Sequence, residues 1–150
     1  MQAQWGLLFG LVVGAALSSQ GAINGKLAGH LGGALPAAVV SFSVGLLALV
    51  TVSLVFRQPL PSAGGVTSAP WWTLIGGMLG ATVVAGAAFF VPQIGVATWV
   101  AAIIAGQLVG AMVVDHYGWL GVQARGFDVT RLAGVAFLAA GVFLIQRGGR

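Results

Sequence analysis

Gln20 and Asn24 stand four residues apart in one apolar run, and Gln107 and Asp115 stand eight apart in another. Four and eight are helical spacings, so each pair shares a helix face. Carboxamides on such a face either hydrogen-bond a neighbouring helix or wall a polar cavity. Interhelical bonds of that kind contribute about 0.6–2 kcal/mol each, whereas polar groups at membrane depth often mark a solute path. The residues leave both uses open. Asp115 is the one carboxylate near a span, and it falls at a helix C-terminus, where the macrodipole disfavours an anion. A partner is therefore expected among His116, Arg125 and Arg131. One use for Asp115 is coupling or gating; the other, favoured by its nearness to the interface, is anchoring a helix end.

Lys26 closes the first apolar run, where it can snorkel to the headgroups or meet an anionic solute. His30 and His116 fall on opposite sides of the helix map below, so one chain cannot pair them on a metal. Neither a spaced His/acidic cluster nor a nucleophile–base–orienter set is present, so no metal, no cofactor and no enzymatic activity are expected. The absence of cysteine removes disulfide and thiolate chemistry. Ser41, Ser43 and Thr82 are expected to bond back to carbonyls of their own helices.

These residues need a membrane scaffold. The chain is 59% hydrophobic and 5% charged, against roughly a quarter charged in soluble domains. It would have too little polar surface to face water. Five stretches approach the ~20 apolar residues that a spanning helix needs: about 5–26, 34–55, 71–91, 95–114 and 132–145, the last short and expected to borrow a turn at either end, where flanking arginines can snorkel. The expected fold is all-α, an integral membrane protein with residues 1–150 as a single transmembrane domain. His30 to Gly33 and Pro36 break the first pair, and Arg57 to Pro70 is a polar connection. Pro92-Gln93 is expected to turn between the third and fourth helices. Asp115 to Thr130 is the longest polar segment, with Asp128 or Thr130 placed to cap the last helix. Trp5, Trp71, Trp72, Trp99 and Trp119 fall near the proposed ends, as an interfacial belt requires. The first run lacks a basic start and is too long for a cleavable signal.

Five spans put the termini on opposite sides. Arg57, Arg125 and Arg131 then share one side, and Lys26, Arg147 and Arg150 the other. That three-against-three balance gives no preferred orientation. Insertion both ways would let two copies form an antiparallel homodimer, which recreates the inverted repeat of many secondary transporters. Small residues recur every four positions at Gly10, Gly14 and Ser18, at Gly21 and Gly25, at Gly76 and Gly80, and at Gly106 and Gly110. Each such face serves close helix packing, within a protomer or between two. The net charge of +4 is scattered at helix ends, so a nucleic-acid partner is not expected.

The run Gln20-Gly21-Ala22-Ile23-Asn24-Gly25-Lys26-Leu27, with Ser41-Phe42-Ser43-Val44-Gly45, resembles the first half of the YdcZ-like family. Pro70-Trp71-Trp72 before Gly76-Gly77, then Gly106-Gln107-Leu108 and Asp115-His116-Tyr117-Gly118, resemble its second half. That resemblance covers nearly the whole chain and implies membership of the drug/metabolite transporter superfamily. It implies a half-sized, five-helix transporter of the bacterial inner membrane working as an antiparallel dimer. Small multidrug exporters of that superfamily carry a glutamate in the first helix, and this sequence has no glutamate. The expectation is therefore a secondary transporter of a small neutral or anionic metabolite, with a cavity at the dimer interface. Gln20, Asn24, Gln107 and Trp99 are the expected substrate-binding residues, and Asp115, His116 and Lys26 the gating or coupling set. The partners expected are a second copy, the bilayer and the solute. An accessory membrane subunit, or one half of a heterodimeric transporter, are the alternatives.

Overall fold

A computed structural model describes residues 2–126 and 128–148, and the described elements are all helical. They run α1 (Gln2–Leu31), α2 (Ala34–Val55), a short α3 (Ala63–Ser68), a 3₁₀ turn (Trp71–Leu74) continuing into α4 (Ile75–Ile94), α5 (Val96–Tyr117), a 3₁₀ turn (Trp119–Gly121) and α6 (Val129–Gly148). Five of these segments, Gln4–Leu31, Ala34–Val55, Trp71–Ile94, Val96–Tyr117 and Val129–Gly148, are long and apolar enough to cross a bilayer. The charge balance includes Arg150, which lies outside the described residues.

Glycines and caps decide where the helices stop. At the end of α1, Gly32 takes a left-handed φ of 76°, and the Gly33 N–H donates to the Ala28 carbonyl at 3.0 Å. That closure satisfies a carbonyl the helix end leaves free. The end of α2 closes in the same way, the Gln58 N–H reaching the Ser53 carbonyl at 2.8 Å, but there Arg57 occupies the left-handed position with φ 50°. Ser62 caps α3 by accepting from the Gly65 N–H at 3.0 Å. Asp128 Oδ1 accepts from the Thr130 N–H at 3.0 Å, so of the two capping candidates Asp128 starts α6.

One expectation about boundaries changes. Pro92 and Gln93 do not form a turn: both lie inside α4, which runs on to Ile94. The break comes at Gly95, whose φ of 83° suits glycine. A proline inside a spanning helix is tolerated where neighbouring groups re-satisfy the backbone. The last helix borrows a turn at either end of its short apolar stretch, as expected, and runs Val129–Gly148.

The chain forms two compact units, one ending at Gln93 and the other beginning at Ile94. In the first, α1 and α2 form a hairpin through Gly32-Gly33, and α1 also lies against α4. Gly21 and Gly25 make that second contact. A Cβ on Gly21 would stand 2.9 Å from Val91 Cγ2, and one on Gly25 would stand 3.0 Å from Pro92 Cγ. Ala37, Ala38, Val84, Ala87, Ala88 and Val91 are buried here. Small side chains dominate because lipid offers helices no hydrophobic drive, so backbone approach must hold them together. The other glycine faces are not used in this way. Gly10, Gly14, Gly76, Gly106 and Gly110 meet open space, and Gly80 makes only an ordinary contact with the Phe42 ring. In the second unit α5 packs on α6, Gly118 ends α5 in the left-handed conformation, and Ala101 and Met112 are buried.

Candidate functional site

α1 carries Gln20 and Asn24 one turn apart, flanking the Gly21–Gly25 contact with α4. The close approach of the two helices desolvates this face. Asn24 is 3% exposed, and its Nδ2 has no hydrogen-bond partner among the described residues. A buried amide donor without an acceptor costs about 1–3 kcal/mol, so its retention calls for a reason. Close by, Pro92 has no N–H to give to the Ala88 carbonyl. That oxygen lies 3.8 Å from where a Gly25 Cβ would be.

Gln20 lines a groove of about 300 Å³ together with Ser41, Phe42, Leu46, Leu49 and Val84. The α2 residues of that wall recur at helical spacing, which puts them on one face. Gln20, Ser41 and Val84 each fall within one turn of the middle of their own spans, the depth at which transporters hold solutes. Ser43 donates to the Val39 carbonyl at 2.9 Å and Thr82 to the Met78 carbonyl at 3.0 Å, as expected. Ser41 does not behave as expected. Its hydroxyl makes no hydrogen bond among the described residues and faces the groove. The Gln20 amide is likewise unbonded among the described residues. A neighbouring groove of about 450 Å³ runs between Leu35, Val39, Phe42, Met78 and Ala85. Its one hydroxyl, on Thr82, is the one already given to Met78. Phe42 walls both grooves.

The remaining expected residues are placed as follows. Lys26 is exposed one turn and a half before the end of α1, and His30 is exposed in its last turn. Gln107 and Trp99 belong to the second unit, on α5: Gln107 is exposed and Trp99 half-buried. At the end of the same helix, Arg131 Nη1 donates to Asp115 Oδ2 at 3.2 Å, with both side chains about one-third exposed (36% and 33%). Arg131 is thus the partner of the carboxylate. Arg125 reaches Asp115 only through its backbone N–H, which donates to the Asp115 carbonyl at 2.7 Å. The His116 ring sits edge-on to Tyr117, 4.9 Å between centroids, and Tyr117 stacks on Trp119 at 5.0 Å. No group of metal-ligating side chains occurs among the described residues.

Five apolar spans define an integral membrane protein, and an amide and a hydroxyl, unbonded among the described residues, face one otherwise apolar groove at mid-span. Residues 5–144 match the family described as "Putative inner membrane exporter, YdcZ", and the chain belongs to that family. It is similar to the inner membrane protein YdcZ of Escherichia coli (strain K12), with 32% identity over 112 residues, 74% of each chain. No solved structure matches it. The chain is a multi-pass protein of the inner membrane, and its family supports a transporter role.

Proposed function

We propose that this protein is a secondary transporter, not an enzyme, that moves a small metabolite outward across the inner membrane. The observation that carries this reading is the amide face of α1. Gln20 lines a mid-span groove, and Asn24, one turn on, keeps a buried amide nitrogen unbonded. Side chains acting only as interhelical glue would have found partners within the fold.

In this reading two copies insert in opposite orientations and assemble as an antiparallel homodimer. Gln20, Asn24, Gln107 and Trp99 contribute to a cavity between them, and alternating access follows from the two protomers exchanging conformations. Three against three positive charges and the open faces of Gly10–Gly14 and Gly106–Gly110 support a second copy. Asp115, held by Arg131, anchors the α5–α6 connection beside His116, and Asp115, His116 and, separately on α1, Lys26 are the residues to which coupling or gating is assigned.

Single cysteines placed at each terminus of this cysteine-free chain test the assembly. Labelling of each terminus from both sides of the membrane is expected, and labelling from one side alone refutes the homodimer. Replacing Gln20 or Asn24 by Ala should abolish transport with the dimer intact. Weakened assembly with no solute bound would point to an accessory subunit instead.

A further inference from the structure

We infer that the Gln20–Ser41 groove selects an uncharged solute carrying adjacent hydrogen-bond donor and acceptor groups on a compact apolar body, of which a primary carboxamide is the type. The inference rests on the transport reading of the same site and narrows its substrate class. The two polar groups on the wall, the Gln20 carboxamide and the Ser41 hydroxyl, can each donate and accept. Neither is bonded among the described residues, so both are available to a ligand. A carboxamide matches that pair, giving a donor to one and an acceptor to the other. The remaining wall includes Phe42, Leu46, Leu49 and Val84, which suits a ring or short branched chain. A volume of about 300 Å³ is at the small end of ligand sites.

Charge is what the groove cannot accommodate. None of its lining residues is ionisable. An ion moved from water into such a wall loses hydration that two neutral dipoles do not replace. Lys26 does not supply a counter-charge: six residues beyond Gln20, it points about 120° away round the helix and is exposed. For a cation, Phe42 is the one aromatic face on the wall, and a single ring does not replace the shell of an ammonium without a carboxylate partner.

Three probes of one shape and different charge decide the matter: benzamide, benzoate and benzylammonium. Radiolabelled benzamide is titrated onto the purified protein in lipid nanodiscs, with the other two as competitors. Benzamide is expected to bind at least tenfold more tightly than either ion. Ser41→Ala and Gln20→Ala are each expected to weaken it about fivefold, as loss of one hydrogen bond does. Ser43→Ala, whose hydroxyl is committed to its own helix, should leave binding unchanged. Equal or tighter binding of either ion, no binding of benzamide, or indifference to both variants overturns the inference. Flux into proteoliposomes separates the two readings. Benzamide bound through Gln20 and Ser41 but not carried supports the site and sinks the transporter. Benzoate carried while benzamide fails to bind sinks the uncharged class and leaves the transporter standing.

Discussion

Substituting Gly21 by Ala should separate α1 from α4, and Val91→Ala should largely restore the contact. The added methyl would stand 2.9 Å from Val91 Cγ2 and 3.5 Å from Ala87 Cβ, against an optimum of about 3.5–4.0 Å between carbons. Val91 cannot easily yield. It is buried, and β-branched side chains in a helix keep essentially one rotamer. The helices must therefore part by several tenths of an ångström, and Gly25, with Pro92 equally close, would lose its contact as well. Overpacking of this kind costs about 1–3 kcal/mol. Val91→Ala alone costs about 1 kcal/mol, less than in a soluble core, because the lost methyls would otherwise rest against lipid. In the double variant the new methyl occupies the vacated space. The two costs should then fall short of additivity by about 0.5–3 kcal/mol, as for residues in contact. Reversible unfolding in mixed detergent micelles, followed by tryptophan fluorescence, measures all four corners of the cycle. Gly14→Ala, where nothing lies within 4 Å, is the control and should not alter protomer stability. Costs that add within about 0.5 kcal/mol would refute the close α1–α4 approach.

Two further perturbations test other parts of the argument. Asp115→Asn should lower stability by about 1 kcal/mol, the upper end for a pair this exposed, and Arg131→Gln should add little to it in the double variant. If Asp115→Asn instead abolishes the pH dependence of transport at unchanged stability, Asp115 is a coupling group and not an anchor. Arg57→Gly removes a positive charge from a backbone position with φ 50°, which glycine adopts without strain, so stability should rise by up to about 1 kcal/mol. The same change leaves two charges against three and should bias insertion toward the N-terminus outside. An unaltered terminal labelling pattern would show that the charge balance does not govern orientation.

The spans were legible because length and apolarity alone define them, and the Asp128 cap because its side chain sits where an N-cap must. The Pro92 turn was misread for a physical reason. Proline ends helices in water, but within a bilayer the helix continues and a neighbouring backbone closes on the gap, so Gly95 is the true punctuation. The glycine spacings announced close packing without saying where, since Gly21–Gly25 and Gly10–Gly14 look alike in one dimension. What distinguishes them is Val91 and Pro92 opposite one pair and open space opposite the other. Ser41 was missed because a serine in a helix usually bonds backwards, as Ser43 does. The visible signal was that Ser41 and Ser43, two apart, must face different directions, and that Ser41 shares its face with Gly45 and Leu49.

Polar and glycine positions alternate along one strip of α1, and the two sets depend on each other. Gly21 and Gly25 bring the helix near enough to α4 to bury Asn24, and that burial leaves the Asn24 Nδ2 unbonded. In a fold selected for stability alone the conflict would be removed by an apolar residue of similar volume. In a transporter it has a use. A solute or a rearranged helix that offers Nδ2 an acceptor in only one of two conformations favours that conformation by the penalty relieved, about 1–3 kcal/mol. That is roughly a 5- to 150-fold shift between the two states. It is too small to lock the protein and large enough to make the empty and loaded forms prefer different conformations. Substituting Asn24 by Leu relieves the same penalty in every conformation at once. The variant should therefore be the more stable protein and the poorer transporter, and a variant both stabilised and fully active would show that the unbonded amide has no part in the cycle.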